Sequence, residues 1–93
     1  MRFLTQLHRV QARVNQELAL TEAGESSRDA QQLRLVQKEL SQMELALDPK
    51  VFLPVYPRMI VDGWDFSDPL GEALTDVWEL YKGLSSARKE AQP

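Results

Sequence analysis

Apolar residues recur at helical spacing in three stretches of this chain, and this repetition restricts the fold more than any other feature. The middle stretch alternates steps of three and four residues, through Leu33, Val36, Leu40, Met43 and Leu47. Such spacing places all of these side chains on one side of a helix, as in a coiled coil. Two heptads are too short for a free-standing coiled coil, so we expect one half of an intramolecular antiparallel hairpin.

The first and last stretches predict the other two helices. The first stripe is Phe3, Leu7, Val10, Val14 and Leu18, and the last is Leu70, Leu74, Val77, Tyr81 and Leu84. Together the three stripes predict an all-α fold, a three-helix bundle forming a single domain over residues 1–93. The expected helices cover about 2–22, about 27–47 and about 69–84, followed by a frayed tail to 93 because Gly83 weakens the last turns.

Capping and turn residues set the ends of these helices. Gly24 suits the left-handed conformation just past a helix, and Ser26 with Asp29 three positions later resembles an amino-terminal cap. The Asp48-Pro49 pair predicts the end of the second helix, because proline disfavours a helical conformation in the residue before it. Asp68 followed by Pro69 is typical of the start of a helix.

The connection over residues 48–68 is longer than compact domains usually contain without structure of its own. It includes the aromatic and proline-rich stretch VFLPVYPRMIVDGWDF, residues 51–66. The two prolines favour an extended chain, and Asp62-Gly63 favours a small hairpin turn. Ordering so long a segment has a high entropic cost, so we expect it to be held against the helices.

Two uses of this aromatic connection stay open. Its apolar side chains could complete the core, which is the favoured interpretation. Alternatively, some of them could remain exposed as an anchor set for another protein, since tyrosine, tryptophan and arginine dominate protein–protein hot spots. The candidate docking residues are Tyr56, Arg58, Trp64, Phe66 and Trp78.

Charge and composition argue against most other function classes. Eleven Lys and Arg against 14 Asp and Glu give a net charge of −3 without a continuous basic run, which argues against nucleic acid as a partner. Cysteine is absent and histidine occurs once, so thiol chemistry and most metal sites lack their ligands. We expect no enzyme, no catalytic residues, no cofactor and no metal.

Two weaker alternatives depend on specific side chains. Arg2, Arg9 and Arg13 share the polar side of the first helix and would form the basic face of a nucleic-acid-binding regulator. Asp62, Asp65 and Asp68 recur every third residue and would offer oxygen ligands to a metal ion, although not with the spacing of a calcium loop.

The expected cellular location is the cytoplasm. No apolar run is long enough to cross a bilayer, and the lack of cysteine fits a reducing compartment. The arginine-containing amino terminus also resembles a mitochondrial presequence, but its apolar stripe continues to Leu18 as a folded helix would. The predicted function is therefore that of a small acidic interaction protein, adaptor-like, chaperone-like or inhibitor-like, which binds another protein or a second copy of itself.

Overall fold

The computed structural model describes the backbone of residues 2–91 and the side chains of residues 2–84. These residues form four helices, α1 (Arg2–Glu22), α2 (Ala30–Ala46), α3 (Tyr56–Gly63) and α4 (Pro69–Ala91), and contain no strand. The all-α prediction is confirmed. The predicted number of helices is wrong, because the aromatic connection itself contains α3.

Helix α1 packs against both α2 and α4. His8 of α1 reaches Glu44 near the end of α2, and Asn15 reaches Gln37, so contacts advance in opposite directions along the two helices. On the α4 side, the ring centroids of Phe3 and Tyr81 lie 5.6 Å apart. The predicted stripes are buried between these helices, except that Leu47 and Leu84 are only partly covered.

The turn between α1 and α2 uses Gly24 and Asp29. Gly24 has a φ of +78°, the left-handed conformation predicted for this glycine. The carboxylate of Asp29 accepts hydrogen bonds from the backbone N–H groups of Gln31 and Gln32 and caps α2. The cap is thus Asp29 and not Ser26, and α2 begins three residues later than predicted. The Ser26 hydroxyl donates to the Glu17 carboxylate and accepts the backbone N–H of Arg28, which lies before the helix.

Helix α3 occupies residues 56–63, which include the Asp62-Gly63 pair considered for a hairpin; residues 52–54, expected to be extended, precede the helix and are not helical. Pro57 stands at the start of α3, where a missing N–H is tolerated and the fixed φ suits a helix. Tyr56 and Ile60, four residues apart, form the buried side of this helix. Asp62 and Gly63 are its last residues, so the hairpin prediction is wrong.

Helix α4 starts as predicted and runs further than predicted. The Asp68 carboxylate accepts a hydrogen bond from the N–H of Leu70, and Pro69 is the first residue of the helix. The backbone continues through Gly83 to Ala91, beyond the expected end near residue 84. Residues 92 and 93 of the predicted tail lie outside the described part of the chain.

Gly71 in the first turn of α4 permits close packing of the preceding segment. A Cβ atom at this position would lie 3.3 Å from Cε3 of Trp64 and 3.5 Å from Cγ2 of Ile60. Any larger residue would require Trp64 to move by a few tenths of an ångström. The absence of a side chain at Gly71 therefore lets the end of α3 rest directly on α4.

Candidate interaction surface

The residues between α2 and α4, 48–68, are called the connecting segment below, and hydrogen bonds from both helices hold its first half. The hydroxyl of Tyr81 lies 2.8 Å from the Asp48 carbonyl oxygen and 2.6 Å from that of Phe52. The carboxylate of Glu39, on α2, accepts the backbone N–H groups of Val55 at 2.9 Å and Tyr56 at 2.7 Å. These contacts fix where the chain enters α3.

Glu39 caps α3 from another helix. Among the described residues, Glu39 is the charged residue that is buried, with 5% of its surface exposed. Its carboxylate accepts hydrogen bonds from two backbone N–H groups that have no acceptor within α3. The following residue, Pro57, has no N–H to donate. The carboxylate and the proline together account for the amide positions of residues 55, 56 and 57 at the start of α3.

Tyr56 is locked into the core by its hydroxyl as well as by its ring. The side chain has no exposed surface, and its hydroxyl donates a hydrogen bond to the carbonyl oxygen of Leu74 at 2.8 Å. Burial raises the pKa of the phenol, and the nearby Glu39 carboxylate adds to this effect. Tyr56 is therefore neutral at physiological pH and is inaccessible to a partner in this structure.

A second set of contacts holds the end of the connecting segment. The indole N–H of Trp64 donates to the Gln32 side-chain oxygen at 3.0 Å, and the guanidinium carbon of Arg28 lies 5.0 Å from the Trp64 ring centroid. Arg28 also makes a bidentate ion pair with Asp68, at 2.6 and 2.7 Å, and donates from Nε to Glu17. Trp64 is thus fixed between α2 and the start of α4.

The Arg28–Asp68 ion pair shifts the pKa of both groups. Hydrogen bonding from Arg28 lowers the pKa of the Asp68 carboxyl, and the Asp68 carboxylate raises the pKa of Arg28. Both groups are mostly covered, with 26% of the Arg28 side chain and 13% of the Asp68 side chain exposed. The pair joins the α1–α2 turn to the cap of α4.

The opposite side of the connecting segment is apolar and exposed. From Val51 to Tyr56 the burial alternates, with Phe52, Pro54 and Tyr56 directed inward and the residues between them outward. Five of the six exposed large apolar side chains among the described residues belong to this segment; they are Val51, Leu53, Val55, Val61 and Phe66. With the exposed charges of Arg58 and Asp62 they make up what is called the outer face.

Phe66 is presented by a tight turn. Its side chain is fully exposed, while the Asp65 carboxylate accepts hydrogen bonds from the backbone N–H and the hydroxyl of Ser67. The Asp68 N–H donates to the Asp65 carbonyl oxygen, and the bonds from Ser67 lower the pKa of Asp65. The exposed ring of Phe66 therefore stands on a turn that local hydrogen bonds hold in place.

The structure separates the five predicted docking residues. Tyr56 is in the core; Trp64 and Trp78 are half-buried, with the Trp78 ring against Tyr81 and the Lys82 ammonium. Arg58 and Phe66 remain exposed on the outer face. The exposed valines and leucine of the outer face were not among the predicted docking residues, although the alternation of residues 51–56 could have indicated their exposure.

The three aspartates considered as metal ligands have different partners. Asp62 lies near Arg58, Asp65 binds Ser67, and Asp68 binds Arg28. Among the described residues, no group of three or more His, Cys, Asp or Glu side chains is arranged to hold a metal ion. Asp65 and Asp68 therefore make structural hydrogen bonds, and Asp62 makes only a long, exposed contact with Arg58.

The arginines considered for nucleic-acid binding are exposed on α1, but carboxylates lie close to two of them. Asp76 and Glu79 line the same shallow cleft as Arg2. Arg13 shares a cleft with Glu17 and Asp68. These acids reduce the positive potential at both ends of the predicted basic face.

Comparison with known proteins returned no relative from which a role could be transferred. The chain has no significant match to a protein-family model, a curated protein or a solved structure. No helix in the described residues has both the length and the apolar character needed to cross a bilayer. The chemistry of the surface is therefore the basis for a functional proposal.

Proposed function

We propose that this chain is a non-catalytic protein–protein interaction protein that docks through the outer face of its connecting segment. The observation that carries the proposal is the concentration of large exposed apolar side chains in one short stretch, while the rest of the described surface contributes only Leu45. Single exposed apolar residues are ordinary, but a cluster of them marks an interaction site.

The rigidity of the segment supports the same proposal. Glu39, Tyr81 and Arg28 hold its inner side in place, so the outer face is already ordered before a partner arrives. A surface that is ordered in advance loses little conformational entropy on binding. Phe66 supplies an aromatic anchor, and Arg58 and Asp62 supply polar contacts at the rim.

Affinity capture with matched variants tests this proposal. The full chain is immobilised and exposed to a lysate of the cells that produce it, next to Phe66→Ala, Leu53→Ala and Leu45→Ala. We expect the first two variants to lose the proteins that the wild type captures, and Leu45→Ala to keep them, with unchanged circular dichroism for all. Equal capture by all four proteins would show that the outer face is not the docking site.

The nucleic-acid alternative ranks below this proposal because of the acids beside Arg2 and Arg13. It predicts binding to DNA or RNA at low salt that weakens steeply as salt is added, since phosphate contacts release counterions. A fluorescence anisotropy titration at low salt distinguishes the two functions. A lack of binding there excludes the alternative.

A further inference from the structure

From the packing of the four helices, we infer that the connecting segment opens and closes as one unit over a scaffold of α1, α2 and α4 that stays folded. The closed form is the structure described above. The open form uncovers the sides of α2 and α4 that α3 covers when the segment is closed. Opening is a property of this chain alone and requires no partner, so it goes beyond the proposed function.

The scaffold has a core that does not depend on the connecting segment. Helix α1 packs extensively against α2 and α4, whereas α3 makes far fewer contacts with either of them. The backbones of α2 and α4 scarcely approach each other, so α1 joins them on one side and α3 spans them on the other. All five stripe residues of α1 are buried. Release of α3 therefore leaves both interfaces of α1 in place.

The connecting segment adds little to that core. Its buried residues are Pro54, Tyr56 and Ile60, and the other residues of 48–68 are half-buried or exposed. Helix α3 has eight residues, too few to be stable as an isolated helix. Its conformation therefore depends on contact with the scaffold, and the segment should lose the contact and the helix together when it opens.

Side chains hold the segment at separate points along its length. The Tyr81 hydroxyl of α4 binds the first residues of the segment, and the Glu39 carboxylate of α2 binds the first turn of α3. Gln32 of α2 accepts the indole N–H of Trp64 after α3 ends. Each contact is favoured by the others, because the entropic cost of ordering the chain between them is shared. Release of one contact should therefore weaken all of them, as expected of a single unit.

The backbone at Leu47 is strained in the closed form. Leu47 follows α2 and has a φ of +52°, in the left-handed region that a Cβ atom makes unfavourable. It is the non-glycine residue with a positive φ in the described part of the chain. Strained residues of this kind are common in switch regions. When the segment opens, Leu47 can return to a favourable conformation, which lowers the free energy needed for opening.

Native-state hydrogen exchange of the full chain, measured by NMR at increasing low urea concentrations, tests the inference. The amide of Tyr56 and the amide of Trp64 are hydrogen-bonded at opposite ends of α3. We expect both to exchange through one opening, with the same free energy and the same urea dependence. Both quantities should be smaller than for the amide of Leu40 in the α2 stripe, because opening of the segment exposes less surface than global unfolding.

Two variants separate opening from global unfolding. Tyr81→Phe removes one hydroxyl at the start of the segment, and it should accelerate exchange at Tyr56 and Trp64 by the same factor, about fivefold. Val10→Ala removes buried methyl groups from α1 and destabilises the scaffold in the closed and the open form alike. It should therefore accelerate exchange at Leu40 and leave exchange at Tyr56 and Trp64 unchanged.

Three results would overturn the inference. The first is an opening free energy and a urea dependence at Tyr56 and Trp64 equal to those at Leu40, which would mean that only global unfolding releases the segment. The second is unequal or absent acceleration at Tyr56 and Trp64 in Tyr81→Phe, which would mean that the segment opens in separate parts. The third is equal acceleration of all three amides by Val10→Ala. The proposed function would survive each of these results, because affinity capture tests it separately.

Discussion

The stripes of α1, α2 and α4 and the connecting segment use apolar residues in opposite ways. In the three long helices most stripe residues lie in the core, and Leu40 on α2 has no exposed surface. The connecting segment is equally apolar, yet it buries one side and exposes the other, and hydrogen bonds from Glu39 and Tyr81 hold it in place. Burial stabilises the first region, and polar anchoring positions the second.

The largest expected effect is a difference in folding stability between two variants on α2, one at a buried leucine and one at an exposed leucine. Leu40→Ala should lower the free energy of unfolding by about 2–5 kcal/mol, because it removes buried methyl groups and leaves a cavity. Leu45 is 86% exposed, and Leu45→Ala should change this free energy by less than about 0.5 kcal/mol. Urea unfolding followed by circular dichroism measures both. Similar losses for the two variants would contradict the assigned helix faces.

A smaller effect is expected where α2 caps α3. Glu39→Ala should cost about 1–3 kcal/mol, because the amide groups of Val55 and Tyr56 lose their buried acceptor. Hydrogen exchange at these two amides should accelerate more than exchange in the α1 and α2 stripes. Glu39→Gln, which keeps a side-chain oxygen, should recover part of the loss. Exchange that rises equally everywhere would show that the segment is not an independently anchored unit.

We expect the loss of the Arg28–Asp68 ion pair in acid to lower the free energy of unfolding by about 1 kcal/mol. Because Arg28 lowers the folded-state pKa of Asp68 below its unfolded value near 4, the folded protein holds this proton less tightly than the unfolded chain. The stabilisation is therefore complete above that unfolded value and is lost as pH falls through the folded pKa. Asp68→Asn keeps a capping side chain but removes this ionisation.

Thermal unfolding between about pH 6 and pH 2 compares Asp68→Asn with the wild type. The wild type should be the more stable protein at the upper end, and the difference should shrink as the pH falls. A constant difference across the range would show that the pair does not contribute through ionisation.

The smallest expected effect on folding is at Phe66. Because its ring is fully exposed, Phe66→Ala should change the free energy of unfolding by less than about 0.5 kcal/mol, while the proposed function predicts weaker capture of a partner. Chemical denaturation and affinity capture with the same samples measure the two properties. A large loss of folding stability would place Phe66 in the core and would remove the contrast between the two sides of the segment.

The periodic part of the fold was predictable because it depends on local spacing. All five predicted stripe residues of α1 are buried, since a step of three or four residues returns to the same side of a helix whatever lies opposite. The left-handed conformation of Gly24 and the capping role of Asp68 were equally predictable, because left-handed turns and helix caps strongly favour particular residue types.

The connecting segment was less predictable because its structure depends on distant residues. Pro54 and Pro57 were interpreted as marks of an extended chain, yet Pro57 begins a helix whose first amides are capped by Glu39, 17 residues before Tyr56. One signal was available: Glu39 lies three residues after Val36 and four before Met43, on the buried side of α2. A carboxylate at such a position requires a buried donor.

The position of α1 between α2 and α4 has a consequence for the order of folding. The connecting segment is held by Glu39 of α2 and by Tyr81 of α4, and α1 packs against both of these helices. Its binding place exists only once three helices distant in sequence have met, and each such closure has an entropic cost. Helix α3 should therefore become native last, and the surface that it displays should appear only on chains whose long helices are already assembled.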